Sequence, residues 1–376
     1  MHASLARLSL LATALALCIA AKQSPAAPTS LIRRAVSSSS LQPRTSAQNA
    51  RRRSKRSSTS PSLKRNKQKR KCRHRRRRDK STYTLVLESL GGYSFFDHFD
   101  FFTSPDPTHG AVDYVSREAA WAEGLVYVPP EKGNTVIRAD SWTGLTYGEN
   151  RRSVRITSRE KVRFGSVVVA DFGRIPFGAF WTVGDNWPAG GEIDIVEGVH
   201  NSTQNQMTLH TAAGCTLASS STSPMNFTGN MLTTNCDALS TGNVGCGVQD
   251  PSTSSFGSAF NAAGGGVFAM VWDEDGIAMY FFPRDKVPSD LSSNSPLPLT
   301  WGQPSARFSS STCDPQKYFS EQTIVLNISL GGDWGGAATY NSIGYEGDWR
   351  TAVMDPRNFV DAAWEVRSIK VYEKKQ

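Results

Sequence analysis

Val267-Phe268-Ala269-Met270-Val271-Trp272-Asp273-Glu274-Asp275-Gly276-Ile277-Ala278-Met279-Tyr280-Phe281-Phe282 reads as two apolar runs hinged on an Asp-Gly turn. Each run is strand-length and rich in β-branched and aromatic residues. Two such runs joined by a tight polar turn predict a β-hairpin. Working outward, further strand-like runs lie at Tyr83 to Leu87, Val154 to Thr157, Ser166 to Ala170, Ile324 to Leu330 and Trp364 to Tyr372. Clusters such as Gly264-Gly265-Gly266 separate them, and long 3.6-residue periodicity is scarce. The pattern predicts an all-β sandwich of two packed antiparallel sheets. In the last run the apolar alternation shifts phase between Trp364, Val366 and Ile369, Val371, which predicts a bulge near Arg367-Ser368.

Charge divides the chain. The net +9 of the 376 residues conceals 21 Lys/Arg against one acid, Asp79, in residues 22–80. Residues 81–376 hold 20 Lys/Arg against 32 Asp/Glu. A nucleic-acid partner is therefore not expected for the acidic body, whatever the basic overall charge suggests. Residues 1–21 carry an apolar stretch, Leu8 to Ala21, that reads as a signal peptide. An uncleaved anchor is the alternative, and no membrane insertion is expected after cleavage. Residues 22–80 lack the apolar content to fold and read as a disordered linker or pro-segment. The polar C-terminus, Val371 to Gln376, shows no lipid-anchor tail. Residues 81–376 then form one large domain. A secreted or cell-wall location fits four cysteines in the body, Cys215, Cys236, Cys246 and Cys313. They make two disulfides with three possible connectivities. Sequons at Asn201, Asn226 and Asn327 agree with that route.

The chemistry concentrates in Gly190-Gly191-Glu192-Ile193-Asp194-Ile195-Val196-Glu197-Gly198. Strand residues two apart share a face, so Glu192 and Asp194 point together. Glu197 is out of phase unless Ile195-Val196 holds one extra residue as a bulge. With that bulge three carboxyl groups line one face, and the flanking glycines would let a polymer approach. Two carboxyls about a scissile bond are what glycosidic hydrolysis needs. Crowded carboxyls also keep a proton that a general acid can donate. The same acids would otherwise form a solvated strand face or a calcium site. Phe180, Trp181, Trp187 and His210 nearby favour a sugar cleft.

The stretch Phe180-Trp181-Thr182-Val183-Gly184 to Trp187-Pro188, followed by Gly191 to Val199, resembles glycoside hydrolase family 16. It is most similar to fungal laminarinase-type endo-β-1,3(4)-glucanases. Supporting matches include Phe99 to Phe102, Asp106 to Gly110, Thr208 to Thr211, Phe281 to Arg284 and Gly332-Asp333-Trp334. The resemblance covers roughly residues 81–376. It implies a concanavalin-like β-jelly roll, retaining chemistry, and neither a cofactor nor a catalytic metal. Carried over by position, Glu192 would be the nucleophile, Glu197 the acid/base and Asp194 an assistant. Trp181, His210, Trp187, Asp333 and Trp334 would bind substrate. The sequence departs from the pattern where Ile175-Pro176-Phe177-Gly178 replaces a longer stretch carrying a Cys. Gly331 stands where a second Cys is frequent, so one disulfide would be lost. His200 stands where Asn is frequent.

These readings give a monomeric, secreted, retaining endo-β-glucanase acting on a β-1,3- or mixed β-1,3/1,4-glucan. The alternatives are a cell-wall glucan transglycosylase and a non-catalytic glucan-binding lectin. Intact Glu192 and Glu197 argue against the lectin.

Overall fold

The computed structural model describes residues 80–218 and 226–375. The expected signal and basic segment, with Cys18 and Cys72, lie outside the described residues. Two eight-stranded antiparallel sheets dominate. The back sheet runs Ala306–Ser309, Gly276–Pro283, Gly266–Asp273, Ser166–Arg174, Ala363–Lys374, Thr135–Arg138, Val126–Tyr127. Tyr83–Leu90 pairs with part of Ala363–Lys374. The front sheet runs Asn230–Met231, Cys246–Gln249, Gln206–His210, Glu192–Glu197, Ala179–Gly184, Gln322–Asn327, Arg155–Val162, Phe99–Phe101.

The hairpin forms as read, closing at Asp273 opposite Gly276. Its sequence is apolar throughout, and not alternating, because both faces are covered. Phe268, Met270, Trp272, Ile277 and Met279 point between the sheets. Val267, Ala269, Val271, Tyr280 and Phe282 point outward under Leu291 and Trp301. Trp301 Nε1 donates to Asp290 Oδ2 at 2.8 Å, which fastens this outer cover. Between the sheets, Phe172 of the back sheet meets Phe180 of the front sheet edge-on at 5.4 Å and Trp364 at 4.8 Å. Fully burying one such ring contributes about 1.5–3 kcal/mol. The phase change in the last strand is also present, with register shifts from Glu365 to Ser368.

Of the three disulfide connectivities, the fold selects Cys215–Cys313 and Cys236–Cys246. Gly331 explains the place where the resemblance would put another cysteine. A Cβ there would lie 2.0 Å from the Trp349 ring, which fills that space. Trp349 belongs to the short helix Trp349–Met354. That helix is tied down by the fully buried Arg151, whose guanidinium donates to the Val353 carbonyl at 2.6 Å and the Met354 carbonyl at 3.2 Å. A buried cation with carbonyl partners on several loops is expensive to disturb, since losing them strands its charge. The wall it holds, with the short helices Gly332–Gly335 and Ala337–Ser342, borders the front sheet's open face.

Candidate active site

The acidic strand supplies the floor. Ile193, Ile195 and Val196 are at most 1% exposed and all enter the core. Two consecutive inward residues break the alternation, and this is the bulge. Between the pairs Asp194 with Thr208 and Glu197 with Gln206, the acidic strand advances three residues while its neighbour advances two. On its other edge the shift falls between Asp194, opposite Trp181, and Val196, opposite Phe180. Glu197 thereby returns to the face that holds Glu192 and Asp194. The flanking glycines have a different reason from the one the sequence suggested. A Cβ on Gly191 would come within 2.4 Å of the Phe319 ring, and one on Gly198 within 2.7 Å of the Phe256 ring. Internal packing demands both.

Each acid faces a polar partner across the strand pair, because Glu192 lies opposite His210, Asp194 opposite Thr208 and Glu197 opposite Gln206. Thr208 Oγ1 donates to Glu197 Oε1 at 2.6 Å, and Gln206 Nε2 donates to the same oxygen at 3.3 Å. With Oε1 engaged twice, a proton on this carboxyl belongs on Oε2. The Trp187 indole N–H donates to Glu192 Oε2 at 2.5 Å. Glu192 and Asp194 bring carboxyl oxygens within 4.8 Å of each other, and His210 Nε2 lies 3.3 Å from Asp194 Oδ2. Glu192, Asp194 and His210 offer donor atoms within 4.8 Å of one another, a spacing that would also suit a cation.

Burial dominates the electrostatics. It pushes the Glu192 carboxyl up to about 8, with the Asp194 charge adding to the effect. It drives Asp194 well above the usual carboxylate range, helped by Glu197. It raises Glu197 too, opposed by the Thr208 hydrogen bond. The three groups cannot all be ionised together, and the set titrates as a unit. The fully buried Asp194 is the costliest place for a charge. Glu192 has the Trp187 donor and the cleft in front of it. At one negative charge on the Glu192–Asp194 pair, the remaining proton belongs to the pair.

A pH-dependent stability follows. The raised Glu192 carboxyl keeps a proton that the unfolded chain has released above about 4.5, so folding binds a proton between about 4.5 and about 8. Stability falls with rising pH in that window. Replacing Glu192 by Gln removes the effect. Thermal melts should show the variant more stable by about 3 kcal/mol at pH 7 and indistinguishable from the parent at pH 4. A variant destabilised at pH 7 would contradict this account.

A cleft of about 760 Å³ opens over the acids. Trp181, His210, Asp333 and Trp334 line it together with Glu192, Asp194 and Glu197. Trp187 is not part of that lining; it reaches the site through Glu192. Asp333 sits at the rim with its carboxylate 3.0 Å from His109 Nδ1, and both side chains are exposed. Trp181 is oriented by Asn327, whose Oδ1 accepts its indole N–H at 3.0 Å. The Arg155 guanidinium lies 5.1 Å from the Trp181 ring centre.

Sequence reading missed Asn327 as a cleft residue and took it for a sequon. It is 7% exposed, and its amide donates to Tyr114 Oη at 3.1 Å, so no glycan fits there in the folded domain. Gln206 was also missed. Its signal was present, since Gln206, Thr208 and His210 alternate with Met207 and Leu209, the period of a half-buried strand. The cluster of His200 with Tyr340 and Tyr345, at ring distances of 5.5 and 5.9 Å, had no local signal.

A family model described as "XgeA-like, catalytic GH16 domain" matches residues 99–372. The chain belongs to glycoside hydrolase family 16. The matched span includes all three acids and the whole cleft. A probable glycosidase of Schizosaccharomyces pombe is 43% identical over 300 residues, covering 78% of this chain and 70% of that protein. An endo-1,3(4)-β-glucanase of Arthroderma benhamiae is 36% identical over 300 residues, covering 74% of this chain and 63% of that protein. The chain spans about half the length of the Aspergillus relatives it matches. Among solved structures, family 16 laminarinase 16A of Phanerochaete chrysosporium has β-glucans in its donor and acceptor sites. It is 37% identical with a TM-score of 0.73, covering 77% of this chain and 99% of that one. An elongating family 16 β-1,3-glucosyltransferase is 39% identical with a TM-score of 0.70 and the same coverage. The two sheets are thus the jelly roll of family 16 laminarinases.

Proposed function

We propose that residues 81–376 are the catalytic domain of a secreted, retaining endo-β-glucanase acting on β-1,3- or mixed β-1,3/1,4-glucans. The observation that carries this reading is the bulge that sets Glu197 beside Glu192 on the floor of an open cleft. Glu192 Oε attacks the anomeric carbon while Glu197 Oε2 protonates the departing glycosidic oxygen. Glu197, now ionised, takes a proton from water, whose oxygen displaces Glu192 and releases the sugar. Asp194 holds the proton that leaves Glu192 free to be anionic. His210, Trp181, Asp333 and Trp334 position the glucan, and Trp187 acts through its indole N–H on Glu192. The relatives support the substrate class through their names and the glucans bound in laminarinase 16A. Export rests on the apolar stretch within residues 1–21, with residues 22–80 as a linker or pro-segment. No helix among the described residues is long and apolar enough to cross a membrane.

The test is reducing-end release from laminarin, lichenan and xyloglucan by the secreted protein, with and without a chelator. Laminarin and lichenan should be cut internally, and chelation should leave the rate unchanged. Activity on none of the three would sink the reading, and loss on chelation would assign Glu192, Asp194 and His210 to a cation. A second reading, transfer to a sugar acceptor, is favoured by the match to an elongating glucosyltransferase. It would appear in the same assay as products longer than the substrate, without reducing-end release.

A further inference from the structure

The bulge that re-aims Glu197 is held by a side chain outside the strand. Asn205 is fully buried. Its Nδ2 donates to the Ile195 carbonyl at 2.8 Å, and its Oδ1 accepts the Glu197 backbone N–H at 3.0 Å. Ile195 and Glu197 bracket the extra residue, Val196, whose insertion interrupts the ladder. The Asn205 amide acts like a peptide group beside the bulge, pairing with one backbone donor and one backbone acceptor. Its own backbone is fixed on both sides. The Asn205 N–H donates to Ser255 Oγ at 2.9 Å, and its carbonyl accepts the Asp250 N–H at 2.8 Å. The next residue, Gln206, bonds the Glu197 carboxyl itself.

We infer that Asn205 is the positioning residue of Glu197, setting where its carboxyl meets the glycosidic oxygen. This rests on the reading of Glu197 as the acid/base. An amide suits the place because it offers donor and acceptor in one plane and does not titrate beside three carboxyls. Aspartate would keep the acceptor, lose the donor and press an oxygen against the Ile195 carbonyl. Alanine would keep neither. A misplacement of about 1 Å at a reacting group costs on the order of 10²-fold.

The test compares Asn205→Ala, Asn205→Asp and Glu197→Ala on laminarin and on aryl β-laminaribiosides of graded leaving group. Melting curves confirm that each variant is folded, and Asn205→Asp, of nearly unchanged size, serves if Asn205→Ala does not fold. Both Asn205 variants should lose about 10²-fold in kcat/KM on laminarin and on the phenyl glycoside. On the dinitrophenyl glycoside, which leaves without a proton, they should stay within about threefold of the parent, since protonation alone is impaired. Equal losses on all substrates, or none on laminarin, would overturn the inference. If Glu197→Ala itself shows no dependence on leaving group, the Glu197 assignment fails. If Glu197→Ala shows it and the folded Asn205 variants do not, only the Asn205 role fails.

Discussion

Replacing Glu192 by alanine should lower laminarin hydrolysis by about 10⁴-fold or more, since the covalent route loses its nucleophile. The fold should survive, because the change removes a buried carboxyl whose burial already opposes its ionisation. The space left at the cleft floor can admit a small anion. Added azide should then attack the anomeric carbon directly from the side Glu192 occupied. On a dinitrophenyl laminarioside, where departure needs no proton, the product should be the α-glycosyl azide. That product marks a single inversion, so the displaced group was the nucleophile. Parent-like activity on laminarin would remove Glu192 from the mechanism, and a β product would move the nucleophile elsewhere.

Replacing Glu197 by alanine should cost about 10²- to 10⁴-fold on laminarin, the range of general acid–base catalysis. The loss should shrink sharply for kcat/KM on the dinitrophenyl glycoside, because that leaving group departs as an anion. The glycosyl-enzyme on Glu192 then accumulates, since no base activates water. Azide needs no base, and it should raise turnover and give the β-glycosyl azide, the outcome of two inversions. The pH dependence should change with it. In the parent, activity should fall on the alkaline side as Glu197, held above its ordinary range by burial, loses the proton it donates. In the alanine variant, kcat/KM for the dinitrophenyl glycoside should lose that alkaline fall wherever Glu197 supplied it. An α product from this variant would contradict retention.

The all-β architecture was legible because hairpin signals are local. The run from Val267 to Phe282 carries its own turn, and the pairing of Asp273 with Gly276 follows from it. The bulge in the acidic strand was legible for a similar reason. An acid-apolar alternation with one residue too many can keep its acids together only by bulging, and Ile195 and Val196 both enter the core as that demands. Residue types and phase along one strand therefore determined which carboxyls share a face.

What lies across from those carboxyls was decided only in three dimensions. Thr208 and Gln206 reach Glu197 because the register places them there, and register belongs to two strands together. Asn205 holds the bulge from the residue just before the neighbouring strand, through contacts that no spacing within the acidic strand encodes. Burial likewise belongs to the packed state. The sequence indicated crowding of like charges, while desolvation proved the larger cause of the raised carboxyls. Asn327 looked like a surface sequon until the cleft closed around it, and the cysteines admitted three pairings until the loops fixed one. Periodicity and turn chemistry act between neighbours in the chain and so survive in the sequence. Partner identity, desolvation and the shape of the cleft come from segments far apart in sequence, and only the folded sandwich brings them together.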